Sequence, residues 1–179
     1  MRKTVLTFGL IAGAILSAMM FATMAFVERI NFDTAEIVGY TTMVLAFLMV
    51  FFGVKAYRDN INGGEISFGR AFKVGILITA VASVCYVASW QVIYRTMVPD
   101  FGDQYAAHHV EKLREGGATA EAIAAEQAKM ERFAEMYAKP LVNVAFTFLE
   151  PLPVGLVLTL VTAGVLSRRS KRAGEPGQA

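Results

Sequence analysis

Charge in this chain is confined to clusters, and four long apolar runs separate them. The runs cover residues 4–27, 37–54, 74–94 and 140–167, and Glu150 is the one Asp, Glu, Lys or Arg inside any of them. Each is close to the roughly 20 residues that a helix needs to cross the hydrocarbon core of a bilayer. In that core a backbone amide finds no water, so a spanning segment must pair its own N–H and C=O groups, as a helix does. The predicted fold is therefore all-α: a polytopic membrane protein with four transmembrane helices at about 4–27, 36–57, 68–94 and 140–167, forming one domain over residues 1–179. A composition of 55% hydrophobic and 18% charged residues is too apolar for an ordinary water-soluble domain.

The first run follows Arg2 and Lys3, as a secretory leader would. Its apolar length exceeds the roughly 7–15 residues of a leader's core, and no clear small-residue cleavage site follows. It is expected to stay as a span. Basic residues then orient the chain. Arg2, Lys3, Lys55, Arg58, Arg70, Lys73 and the tail residues Arg168, Arg169, Lys171 and Arg172 fall on one side, ten cations against three acids. The other side, with Arg29 and the 95–139 stretch, has seven cations against eleven acids. Cytoplasmic loops carry the excess of Lys and Arg. Both termini, the 55–73 loop and the basic 168–179 tail are thus expected in the cytoplasm.

Residues 100–139 alone have soluble character. Tyr105, His109, Val110 and Leu113 follow a helical period, Gly116-Gly117 breaks it, and Thr119 can cap a second helix with a stripe of Ile123, Met130, Phe133 and Tyr137. The prediction is an extracytoplasmic helical hairpin between spans 3 and 4. Elsewhere, Asp33 and Glu36 have capping-box spacing, Ser67 is a plausible cap after a Gly63-Gly64 turn, and Pro140 marks the entry of span 4. Trp90, Tyr94, Tyr40 and Tyr137 are expected as an aromatic belt at one interface, and Tyr57 at the other.

Small residues recur every fourth position as Gly9, Gly13 and Ser17 in span 1 and as Ala71, Gly75, Thr79 and Ser83 around span 3. That rhythm lets helices approach closely in lipid; packing inside one bundle is preferred to a seam between copies in a homo-oligomer. The single cysteine, Cys85, lies in span 3 and allows no disulfide within the chain.

The stretch "EIVGYTTMVLAFLMVFFGVKAYRDNINGGEISFGRAFKVGILIT", the segment "MYAKPLVNVAFTFLEPLPVGL" and the basic tail together resemble the bacterial membrane family catalogued as domain of unknown function 4199. The resemblance implies four spans with an insertion before the last. It implies no reaction, cofactor or partner.

Glu150 is the chain's strongest anomaly. It lies about 15 Å into span 4, counted from Pro140 at 1.5 Å per residue. Pro151 and Pro153 follow it, and neither donates a backbone hydrogen bond, so the carbonyls of Thr147 and Leu149 are freed. Asn143, Thr147 and Glu150 share one helical stripe, and Tyr86 and Ser83 of span 3 lie at matching depth. No Lys or Arg shares that depth. A carboxyl there without a counter-charge is expected to keep its proton and hydrogen-bond a neighbouring helix. The alternative is that Glu150 binds and releases a proton or cation beside a broken helix, as in some transporters. His108, Glu111 and Glu115 share a face at the spacing of a weak metal site, but no metal and no cofactor is expected.

No hydrolase, zinc-protease or nucleotide-binding signature is present. The expected function is a non-enzymatic accessory or scaffold protein of the bacterial cytoplasmic membrane. It would contact the lipid bilayer, meet a protein partner through the hairpin and bind no nucleic acid. The runner-up is a small proton- or cation-coupled carrier with Glu150 as its coupling group.

Overall fold

Where water is absent, a backbone pairs with itself, and each apolar run is helical. A computed structural model describes residues 1–26 and 32–173, with side chains placed up to Ser167. Val27, Arg29 and the side chains of the 168–179 tail lie outside the described residues. The elements are α1 (Arg2–Ala25), α2 (Phe32–Ile61), α3 (Phe68–Thr96), α4 (Phe101–Glu115), α5 (Ala120–Tyr137), α6 (Pro140–Leu149) and α7 (Leu152–Ala173). No strand occurs among the described residues. Four stretches are long and apolar enough to cross a membrane: α1, α2, α3, and α6–α7 taken together as Pro140–Ser167.

The ends of the helices follow local chemistry. Between α2 and α3 the chain reverses through Gly63 (φ 69°) and Gly64 (φ 87°), left-handed conformations that cost a β-carbon-bearing residue energy. Ser67 takes the N-cap position of α3 without a side-chain capping bond. The turn is fastened instead by Arg70, whose guanidinium donates to Asn62 Oδ1 at 2.7 Å. Thr119 does cap α5, its hydroxyl oxygen accepting from the Ala122 N–H at 3.3 Å. The fourth span breaks between Leu149 and Leu152, at Glu150 and Pro151.

The bundle closes through small residues. A β-carbon on Gly13 would stand 2.6 Å from Cys85 Cβ, and one on Gly9 would stand 2.7 Å from Val81 Cβ, so α1 lies directly against α3. One turn further, the Ser89 hydroxyl donates to Ser17 Oγ at 2.7 Å. Gly75 makes the equivalent approach to Thr159 of α7, 2.8 Å from its methyl for an added β-carbon. These glycines and Ser17 therefore meet partners within the same chain. Around them Leu16, Phe47, Val50, Val74, Ile78 and Leu166 form the main core.

Large apolar side chains also cover the outside, among them Leu141 (86% exposed), Ile37 (68%) and Val84 (60%). Such a surface suits lipid contact rather than water.

At one end, α4 and α5 pack side by side, and α5 meets α6. Trp90 meets Phe101 edge-on at 4.9 Å, Tyr94 meets Tyr137 at 5.8 Å and Phe133 meets Phe146 at 5.9 Å. This placement corrects the aromatic-belt expectation. Trp90 and Tyr137 are buried at 7% exposure where the rings of α3 and of the helix pair meet, and Tyr57 is buried as well. Tyr40 alone among the aromatics of that expectation is well exposed, at 45%.

Candidate functional site

Breaking the fourth span leaves a space. α6 packs on α3, α5 and α7 but scarcely meets α2, whereas α2 packs on α1, α3 and α7. The gap between α2 and α6, roofed by α4 and α5, is a chamber of about 640 Å³. Its walls include Met20, Met43, Tyr40, Tyr86, Trp90 and Phe146, and its ionisable lining includes Glu36 and Glu150.

Glu150 makes the expected hydrogen bond to a neighbouring helix, and its surroundings are partly open. Protein surrounds the side chain on most sides, yet the residue is exposed, and the surface it presents is the chamber wall. The physical reason is the proline pair: a helix interrupted after Leu149 turns its last carboxyl toward the gap rather than into a packed seam. Among the described residues its side-chain hydrogen bond comes from the Tyr86 hydroxyl, 3.0 Å from Oε2.

The other residues on the predicted polar stripe divide. Thr147 lines the chamber, but its hydroxyl donates back to the Asn143 carbonyl at 2.8 Å. Asn143 is buried and turned to α3, where its Oδ1 accepts from Gln91 Nε2 at 2.6 Å. Its Nδ2 has no partner among the described residues. Ser83 is buried, its hydroxyl unpaired among the described residues, and lies away from the chamber lining. The structure thus joins Tyr86 to Glu150 and keeps Thr147 nearby, while Asn143 and Ser83 belong to other contacts. Gln91 went unnoticed in the sequence; an amide near the end of an apolar helix, facing the start of the next span, was its available signal.

The roof is fastened electrostatically. Asp33 Oδ1 accepts from Lys112 Nζ at 2.8 Å and sits 3.4 Å from His108 Nε2. The His108 ring also stacks on Phe32 with centroids 5.1 Å apart. Asp33 therefore serves as a tie to α4 and not as the cap of α2, because it lies inside the helix and a cation reaches it. That bond holds the Lys112 ammonium above its ordinary range. Nor does His108 join Glu111 and Glu115: Glu111 pairs with Arg114 on its own helix. Among the described residues no group of three or more His, Cys, Asp or Glu is arranged for a metal ion.

Tyr137 closes the chamber from above. Burial pushes its phenol up to about 12, with Thr147 and Trp90 near enough to act in the other direction. The Trp90 indole N–H itself reaches no acceptor in hydrogen-bonding geometry among the described residues.

A family model described as a protein of unknown function (DUF4199) matches residues 7–168. No curated protein and no solved structure matches the chain.

Proposed function

Given that the chain belongs to the DUF4199 family, a family of unknown function, we propose that it is a non-enzymatic membrane protein that exchanges a proton for a cation at Glu150 inside the roofed chamber. One observation carries the reading. The carboxyl of the fourth span lies at a helix break, accepts a hydrogen bond from Tyr86 and lines an accessible space. Glu36 of α2 lines the same chamber and adds a second acid. A charge at mid-membrane depth costs at least about 2.5 kcal/mol unless it is matched, so an empty chamber favours the protonated acid and an occupying cation favours release of the proton. In this reading the membrane is the bacterial cytoplasmic one, both termini are cytoplasmic, and α4–α5 face the outside.

The test is infrared difference spectroscopy of the protein in lipid, with Glu150→Gln as control. A carboxyl C=O band that is lost on raising the pH, and absent from the variant, is expected. A band that persists through strongly alkaline pH would leave Glu150 a permanent tie between helices and overturn the exchange.

The accessory or scaffold reading draws on a different feature: the outward face of α5, where Glu121, Glu131 and Glu135 are exposed. It places a protein partner on that acidic face. Deleting residues 103–138 should then abolish co-purifying partners from native membrane, and an unchanged set would overturn it.

A further inference from the structure

The walls of the chamber narrow the kind of cation it would take. A small inorganic ion seeks several oxygen ligands at short range. Here two carboxyls are set among rings and thioethers: Tyr40 and Tyr86 stand beside Glu150, Trp90 and Phe101 make an edge-on pair above, and Met20 and Met43 fill the side. Methionine adapts to irregular apolar shapes, and aromatic faces attract cations that are poorly hydrated. A volume of about 640 Å³ is of the size that encloses a small organic molecule.

Charge excludes the alternatives. Lys112 lines the mouth and is paired with Asp33, and His108 and His109 line it too; among the described residues neither Glu36 nor Glu150 is ion-paired with a cation. An anionic lipid headgroup would meet two acids. A neutral apolar guest would desolvate both carboxyls and pair neither.

Resting on the exchange reading above, we infer that the chamber binds a monovalent lipophilic organic cation, an amine or quaternary head on an apolar body. The head lies between Glu150 and Glu36, and the body lies against the tyrosine and tryptophan walls. Proton balance is simple: the carboxylic acid of Glu150 loses its proton to water as the cation enters, and the resulting carboxylate pairs with the head. No bond other than that O–H breaks.

Two ions of one shape and opposite charge test this. Tetraphenylphosphonium and tetraphenylborate are titrated by calorimetry into the full-length protein in nanodiscs, against empty nanodiscs, in two buffers of different ionisation enthalpy. Saturable binding of tetraphenylphosphonium alone is expected, at least tenfold weaker in Glu150→Gln and about threefold or more weaker in Glu36→Gln. Both variants should keep the wild-type helical circular dichroism. Similar binding of both ions, or phosphonium affinity unchanged in a folded Glu150→Gln/Glu36→Gln protein, overturns the inference. Absence of saturable phosphonium binding overturns it too. The exchange reading survives that result if the Glu150 carboxyl band still titrates, so the two failures are separable. Phosphonium binding without a buffer-dependent heat would retain the guest and remove the exchange.

Discussion

The Tyr86 hydroxyl donates to Oε2 of Glu150 across 3.0 Å, and this bond fastens α3 to the point where the fourth span loses its helical pairing. Tyr86→Phe keeps the ring in the chamber wall and removes the donor. One such bond contributes about 1 kcal/mol net, which for a chain of this size corresponds to about 2–4 °C of melting temperature. The expected outcome is a small loss of thermal stability together with a shift of the Glu150 carboxyl band. A shift without destabilisation would still place the bond; an unmoved band would remove it.

Gln91 and Asn143 form a second link between α3 and the fourth span, 2.6 Å from Nε2 to Oδ1. Asn143 is 1% exposed, so truncating Gln91 strands a buried acceptor. Gln91→Ala is expected to cost about 1–3 kcal/mol. In a double-mutant cycle with Asn143→Ala the coupling energy should be about 0.5–1.5 kcal/mol. Equal and additive losses would show that the two amides stabilise the bundle separately.

What could be read from the residues alone was what local chemistry decides. A chain of apolar runs must span as helices, Gly63 and Gly64 must turn, Pro151 must interrupt span 4, and Glu150 must look for a donor at its own depth. Tyr86 was found that way. The chamber was not, because it depends on α6 failing to close against α2, and no single segment carries that information. The same holds for Trp90 and Tyr137. Their composition suggests an interface with lipid headgroups, and only the tertiary placement of α4 and α5 turns them inward. Asp33 illustrates a competition: its spacing to Glu36 fits a capping box, yet the Lys112 ammonium, distant in sequence, takes its carboxylate.

Glycine at position 13 is required by space. Gly13→Val would drive a side chain into Cys85, and overpacking of this kind costs about 1–3 kcal/mol. Gly164, by contrast, has nothing within 4 Å of an added β-carbon. Gly164→Ala should be neutral or stabilising by up to about 1 kcal/mol through helix propensity. Thermal melts of the two variants in the same lipid give the comparison. Equal destabilisation would argue against the close α1–α3 crossing.

The Lys112–Asp33 tie, 2.8 Å long and well exposed on both sides, governs how firmly the roof is held. The raised Lys112 group adds stabilisation that is complete below the ordinary lysine range and lost as pH rises through its higher folded value. Salt screens exposed charges. Amide exchange across 101–115 is therefore expected to quicken in Lys112→Met, at strongly alkaline pH and in high salt, with residues 74–82 of α3 unaffected. Uniform quickening along the chain would mean global loosening instead.

Tyr137 gives a dependence on alkali. Its phenol is pushed from the ordinary value of about 10 up to about 12, chiefly because burial penalises the phenolate. The sign follows directly: below pH 10 both folded and unfolded chains hold the proton and nothing is lost. Between about 10 and 12 the unfolded chain releases it while the folded chain does not, so stability falls by as much as 1.4 kcal/mol per pH unit from this site. Tyr105 is shifted upward for the same leading reason, burial, and adds to the slope. Tyr137→Phe keeps the ring packing against Tyr94 and Phe133 and should flatten the melting-temperature profile above pH 10, with the Tyr105→Phe double variant flatter still. Ultraviolet titration should show one phenol fewer ionising late. A variant that melts along the wild-type profile would mean that alkali opens the roof before Tyr137 ionises, and the Lys112 tie would then be the group that sets the alkaline limit.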